Sequence, residues 1–199
     1  MLTYSQLLQK RIFDIVLSLV GIVLTWWIML LSWIIASVET RSNGVFIQKR
    51  IGKAGKKFLL FKIKTMQKVE GMNSTVTTRN DSRITKSGAF FRKTKIDELP
   101  QLFNVLFGSM SFVGPRPDVE GFADKLEGED RMILSISPGI TGPASIQYKD
   151  EEELLAKQED PERYNAEVIW PQKVAINKQY IQEWSLRKDI DYIVKTVIG

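Results

Sequence analysis

Between Asp14 and Glu39 the chain carries no charged residue: Ile15 to Val38 reads IVLSLVGIVLTWWIMLLSWIIASV. A helix over these 24 residues extends roughly 36 Å, enough to reach across the hydrocarbon core of a bilayer. The run is too long for the apolar centre of a secretory leader, and no small-x-small cleavage pattern follows it. It is also longer than an ordinary buried helix of a soluble domain. A membrane-inserted helix is therefore the first expectation, and the rest of the chain must fold beside it. Cations flank both ends, Lys10 and Arg11 before and Arg41, Lys49, Arg50 and Lys53 after. Basic flanks mark the cytoplasmic side. Two such flanks fit a re-entrant helix that leaves on the side it entered; a spanning helix with its larger basic flank inside is the alternative. Gly21 is the one weak point and there is no proline, so no sharp bend is written into the run. Asp14, near its start, can reach the interface and pair with Lys10 or Arg11.

What remains of the 199 residues is long enough for one small core. Neither cysteine nor histidine occurs. Disulfides, thiol nucleophiles, Cys- or His-ligated metals and His-based triads are thereby excluded. An enzyme built from this chain must draw on Asp, Glu, Lys, Tyr, Ser or Thr, and its metal must be a hard cation held by oxygen. The net charge of +5 is unevenly spread: residues 41–95 hold fifteen Lys and Arg against Glu70 and Asp81, whereas residues 118–167 lean acidic. A basic block beside an apolar anchor points to anionic lipid heads, a phosphorylated ligand or nucleic acid, with a solvated basic face as the plain alternative.

Val45–Ile47 and Phe58–Ile63 read as strands around a turn at Gly52–Lys56. That turn gathers N–H groups and lysines but lacks the ending of a phosphate-binding P-loop, so a simple hairpin is the better reading. Glu70–Asp81 is polar and reads as a loop; Ile84–Arg92 reads as a short helix or turn. The last third is helical. Glu151–Lys157 forms one segment, Pro161 can open another, and Ser185 can cap a third. Trp170, Val174, Ile181 and Trp184 share a face, as do Ile190, Ile193, Val194 and Val197, and both stripes are expected in the core.

The segment with chemistry in it is Phe91–Asp118, FRKTKIDELPQLFNVLFGSMSFVGPRPD. Arg92, Lys93 and Lys95 come first. Asp97-Glu98 follow, at the mouth of a helix carrying Leu99, Leu102, Phe103, Val105 and Leu106, with Pro100 in its first turn. In isolation the acidic pair reads as a helix cap. In company it reads differently. A carboxylate among cations stays ionised and can attack phosphorus once the phosphate charge is neutralised, while its neighbour holds a metal. The turn Gly114-Pro115-Arg116-Pro117 closes the segment.

This block resembles the signature of the bacterial sugar transferases, the small monotopic phosphoglycosyl transferases. The resemblance continues along nearly the whole chain, in order: Lys10-Arg11 with Asp14; FKIKTM at Phe61–Met66; Asp81, Arg83, Ile84 and Thr85, with Ser82 in place of a proline; SPGITGPA at Ser137–Ala144; and SLRKDIDYIVKT at Ser185–Thr196. In extent the chain resembles the minimal form of the family. Lys64 stands where the family has arginine, and the Ser-Pro break of the family's helix is replaced by Leu24-Thr25-Trp26-Trp27.

The resemblance implies an α+β, mainly helical fold: a membrane-anchoring, re-entrant helix over residues 1–41, and a small cytoplasmic catalytic domain over 42–199 with short strands and interfacial helices. It implies transfer of a phospho-sugar from a UDP-sugar to polyprenol (undecaprenyl) phosphate with release of UMP, priming a surface glycan at the bacterial inner membrane. Asp97 matches the nucleophile and forms an aspartyl phosphosugar. Glu98 matches the Mg2+-binding partner. Lys62, Arg92, Pro115, Arg116 and Asp189 match polar or turn positions of the site. On charge grounds Arg92 and Arg116 are assigned to phosphate or nucleotide, and Lys62 and Asp189 to orienting the acidic pair. Membrane phospholipid is the remaining partner, and a homodimer is left open. Two other classes compete. A non-enzymatic membrane adaptor needs neither the Asp-Glu pair nor the Pro-Arg-Pro turn. A tethered nucleic-acid-binding protein lacks a recognition motif and has an acidic last third that repels nucleic acid.

Overall fold

In the computed structural model, which describes residues 1–67 and 81–198, helix α1 runs unbroken from Tyr4 to Thr40. Thr3 opens it with a capping box. Its hydroxyl accepts from the Gln6 N–H, and its own N–H donates to the Gln6 side chain at 2.8 Å. Arg41, in the left-handed region at φ +48°, ends it.

The side chains of α1 are sorted in the reverse of the usual order. Buried are Lys10, Asp14, Ser18, Met29, Ser32 and Ala36. Val23, Leu24, Trp26 and Trp27 are each more than half exposed. A helix on a water-soluble body buries its apolar stripe and shows its polar one. The opposite pattern is stable where the surrounding medium is itself apolar. By length and composition α1 is able to cross a membrane.

Both ends of α1 rest on one body. Near its start, the two terminal nitrogens of Arg11 donate to the carbonyls of Val105 and Leu106, each at 2.6 Å, and Asp14 accepts from Ser111 Oγ at 3.1 Å and the Phe112 N–H at 3.0 Å. Near its end, Ala36 packs with Ile63 and Phe91, the Glu39 carboxylate accepts from Ser87, and the Glu39 carbonyl accepts from Gln67 at 2.7 Å.

Strands β1 (Val45–Ile51) and β2 (Lys57–Ile63) form an antiparallel hairpin in which Val45 faces Ile63 and Ile51 faces Lys57. The expected first strand thus extends four residues further, up to the turn. Helix α2 (Lys86–Thr94) follows, capped by Thr85. Of the expected loop at Glu70–Asp81, all but Asp81 lies outside the described residues. Helix α3 (Gln101–Leu106) lies against α1, with Leu102 at Gly21. Strands β3 (Ser111–Val113) and β4 (Gly139–Thr141) pair in parallel. Their approach is too close for a side chain, since a Cβ on Gly139 would stand 2.2 Å from the Gly114 nitrogen.

The last third is helical: α4 (Pro143–Gln147), α5 (Glu151–Leu155), α6 (Pro161–Tyr164), α7 (Trp170–Gln182) and α8 (Leu186–Ile198). A π-helical turn at Asn165–Ile169 joins α6 to α7, just ahead of Pro171, which has no N–H to give to the preceding turn. Val174, Ile181 and Trp184 are buried with Ile51, Val113, Ile133, Leu134 and Ile136, and Trp170 packs against them, as their spacing anticipates. The stripe expected on α8 behaves differently. Ile190 and Val194 are nearly half exposed and Val197 more so, while Asp189 is buried and Leu186 and Ile193 face the core. The cause is Asp189. Its carboxylate receives Lys10 Nζ at 2.6 Å, the Tyr180 hydroxyl at 2.6 Å and Trp184 Nε1 at 3.1 Å. Satisfying one buried charge fixes the rotation of the helix that carries it. Ser185 caps α8 as expected, accepting from the Lys188 N–H.

Candidate active site

Lys95, at φ +59°, turns the chain out of α2 and directly into a 3-10 turn, Ile96–Glu98. The expected helix from Asp97 begins later, at Gln101. In an α-helix the Ile96 carbonyl would accept from residue 100, but that residue is proline, and it accepts instead from Leu99 at 3.2 Å. Asp97 therefore caps nothing. It is 8% exposed, and its Oδ1 is buried without a hydrogen-bond partner.

Asn104 sets this turn against the hairpin. It is buried in α3, donates to the Leu59 carbonyl at 2.6 Å and accepts from the Phe61 N–H at 3.0 Å. Its side-chain amide stands in for a neighbouring strand along β2. Lys62, the next residue, then reaches Glu98: Nζ donates to Oε1 at 2.8 Å. Arg116 approaches the same oxygen from the Gly114–Pro117 turn at 3.6 Å. That turn is held by the Gly114 N–H on the Thr141 carbonyl and the Gly139 N–H on the Pro115 carbonyl.

The two neighbouring carboxylates sit in contrasting fields. Burial works against the charge of Glu98, yet Lys62, Arg116 and Lys95 outweigh it and hold the pKa at about 2. Burial and the Glu98 charge push Asp97 upward, against the pull of Lys62, Lys95 and Arg92. Glu98 is thus a fixed anion, and Asp97 is a desolvated carboxylate with an oxygen free to bond.

The sequence-derived candidates are only partly assembled. Asp97, Glu98, Lys62 and Arg116 converge. Arg92, on α2, acts on Asp97 through its charge and lies 3.9 Å from Met66 Sδ. Pro115 serves as a turn residue. Asp189 is spent on Lys10, Tyr180 and Trp184, none of which belongs to this group. Sequence reasoning missed Asn104, whose only signal is a polar side chain among apolar helix neighbours. It also missed Gln101, buried in the first turn of α3, and treated Arg50 as a flanking charge. Arg50, Lys62, Gln101, Arg116, Pro117 and Ile140 line one shallow cleft.

Among the described residues no cluster of three or more acidic side chains could cage a metal. Mg2+ does not need one, since it binds through one or two carboxylates completed by water and substrate phosphate. The orphaned Asp97 Oδ1 beside Glu98 offers that kind of incomplete donor set.

A family model described as bacterial sugar transferase matches residues 5–199. Among similar proteins is the UDP-glucose:undecaprenyl-phosphate glucose-1-phosphate transferase of Klebsiella pneumoniae, 36% identical over 196 residues that cover 94% of this chain and 39% of that protein. A transferase of the same description from Caulobacter vibrioides is 33% identical over 96% of this chain and 68% of its own length. The UDP-N-acetylgalactosamine-undecaprenyl-phosphate N-acetylgalactosaminephosphotransferase of Aeromonas hydrophila is 32% identical over 94% of this chain and 42% of its own length. The chain thus spans about two fifths of two of these three relatives.

Proposed function

The chain belongs to the bacterial sugar transferase family, and from that premise we propose that it transfers a sugar 1-phosphate from a UDP-sugar to undecaprenyl phosphate, releasing UMP. The observation that carries the reading is Asp97: a buried carboxylate with an unpartnered oxygen, beside an anion already claimed by Lys62 and Arg116.

In the first half-reaction an Asp97 oxygen attacks the sugar-linked phosphorus. The bond from that phosphorus to the bridging oxygen breaks, and UMP departs with the electron pair. The product is an acyl phosphate, Asp97 esterified to the phosphosugar. In the second half-reaction an oxygen of undecaprenyl phosphate attacks the same phosphorus, which restores the Asp97 carboxylate and forms undecaprenyl-diphosphate sugar. Two steps at one nucleophile let a soluble and a lipid substrate use a single small cleft in turn. Arg116 faces the phosphate oxygens, and Arg92 adds positive charge near Asp97. Lys62 holds Glu98 in place and ionised. Glu98 would hold Mg2+, which when bound neutralises diphosphate charge, and the unpartnered Asp97 oxygen is left for the attack.

A lipid substrate puts the site at a membrane surface, and α1 supports that placement through its buried polar stripe and exposed apolar face. Both of its ends pack on the same body, which favours an anchor kept on one side of the bilayer, such as a re-entrant helix, over a spanning one; the basic flanks support placing residues 42–199 toward the cytoplasm. Glucose- and N-acetylgalactosamine-type relatives match alike, so the donor is proposed as a UDP-sugar and the product as the lipid-linked start of a surface glycan.

The test is UMP release by purified full-length protein, with undecaprenyl phosphate, magnesium and either UDP-glucose or UDP-N-acetylgalactosamine. Release that depends on acceptor and is lost in Asp97→Asn is expected. Folded protein releasing no UMP from any UDP-sugar, or an Asp97→Asn variant as active as the parent, would sink the reading.

A further inference from the structure

Arg50 has no part in the chemistry above, yet it is built into the wall of the same cleft. On β1, its Nε and Nη2 donate to Gln48 Oε1 at 3.0 and 2.7 Å, and its Nη1 donates to the Pro117 carbonyl at 3.3 Å. These bonds use three of the five N–H groups of a guanidinium and leave two unspent, on a residue that lines the cleft with Lys62, Gln101 and Arg116. A side chain fastened in this way with donors to spare is preorganised for an anion.

The surrounding charges favour the same occupant. Arg50 and Arg116 are near enough to repel; burial and Arg116 both weigh against the Arg50 charge, with Asp118 opposing them. Arg50, Arg116 and Lys62 put three cations into the lining of the cleft, and no carboxylate is among its lining residues. A multivalent anion relieves that excess, and the planar fork of an arginine suits phosphate oxygens better than an ammonium does. Arg50 also steadies its partner. It pins the Pro117 carbonyl while the neighbouring Ile51 N–H donates to the Asp118 carbonyl at 2.9 Å, so β1 grips the turn on which Arg116 stands.

We propose that Arg50 is a second phosphate-binding arginine of this site, gripping the diphosphate of the nucleotide-sugar jointly with Arg116. The inference rests on the donor reading given above and adds a residue to it. The test uses full-length protein and two variants, Arg50→Met and Arg50→Lys, with UDP as the binding probe and the KM values for UDP-sugar and for undecaprenyl phosphate measured separately. In Arg50→Met the Kd for UDP and the KM for UDP-sugar rise about 10- to 100-fold, the worth of a charged hydrogen bond to phosphate. The KM for undecaprenyl phosphate stays within about two-fold. Arg50→Lys keeps the charge and a donor for Pro117, and shows the same split with a smaller rise; it carries the test if Arg50→Met does not fold. UDP affinity unchanged in a folded variant overturns the proposal and leaves the donor reading standing. Equal rises in both KM values also overturn it, because they assign Arg50 to the turn alone. A folded parent that neither binds UDP nor turns over a UDP-sugar overturns the donor reading itself, and the proposal with it.

Discussion

Asp97 and Glu98 are adjacent in the chain and opposite in circumstance: Glu98 accepts from Lys62 at 2.8 Å, whereas Asp97 Oδ1 is buried with no hydrogen-bond partner. The difference supports the roles proposed for them. A carboxylate locked in an ion pair is a poor nucleophile, and one stripped of water and donors is a better one.

If Asp97 attacks, its adduct can be caught. Incubating the protein with UDP-sugar but no lipid acceptor should add the mass of one phosphosugar to the chain, mapped to the peptide containing Asp97. In Asp97→Asn the adduct disappears and turnover falls by at least about a thousand-fold. An adduct on another residue would reassign the nucleophile.

Attack requires the ionised form, and burial and Glu98 both raise the Asp97 pKa. The acid limb of kcat/KM for the donor should therefore lie above the ordinary aspartate value of 3.8. A pH-rate profile decides the matter: a limb at or below that value means Asp97 is not the group being titrated.

Lys62→Met removes the nearest cation from Glu98. The folded pKa of Glu98, about 2, lies below its ordinary 4.5. The native state thus binds fewer protons than the unfolded one in this range. The resulting stability is present in full above 4.5 and is lost as pH falls through about 2. Without Lys62 this acid-range dependence shrinks, and neutral-pH stability drops on the order of 2 kcal/mol. Thermal unfolding of parent and variant across the acid range measures both effects.

Asp189→Asn leaves Lys10 charged and buried at the junction of α1 and α8. The expected cost is about 3 kcal/mol of stability, with the KM for UDP-sugar unchanged in the protein that remains folded. A raised donor KM at unchanged stability would instead return Asp189 to the acidic pair.

Gly139→Ala inserts a methyl group 2.2 Å from the Gly114 nitrogen and 2.7 Å from the Val113 carbonyl carbon. The β3–β4 pairing and the Arg116 turn must separate to admit it. A loss of at least about 2 kcal/mol in unfolding free energy is expected; a wild-type melting curve would contradict the packing described.

Much of this protein is legible before folding because it is local. The uncharged run from Ile15 to Val38 dictates a long apolar helix by composition alone. The hairpin follows from two short apolar runs around a glycine turn. The absence of histidine and cysteine narrows the chemistry to Asp, Glu, Lys, Tyr, Ser and Thr, and the Asp97-Glu98 pair among lysines and arginines marks the candidate site. Tertiary structure decided what depends on partners remote in sequence. Periodicity placed Ile190, Val194 and Val197 in the core, but a carboxylate 179 residues from Lys10 turned α8 the other way. The spacing of Leu99 to Leu106 showed an apolar helix, but the hydrogen bonds of Asn104 to β2, with the packing of Leu60 on Val105 and Met110, are what bring Lys62 to Glu98. A repeat in sequence reports which residues of one element share a face. Which face is buried depends on where charges and amides elsewhere in the chain find their partners, because an unpaired buried polar group costs more than an exposed apolar one.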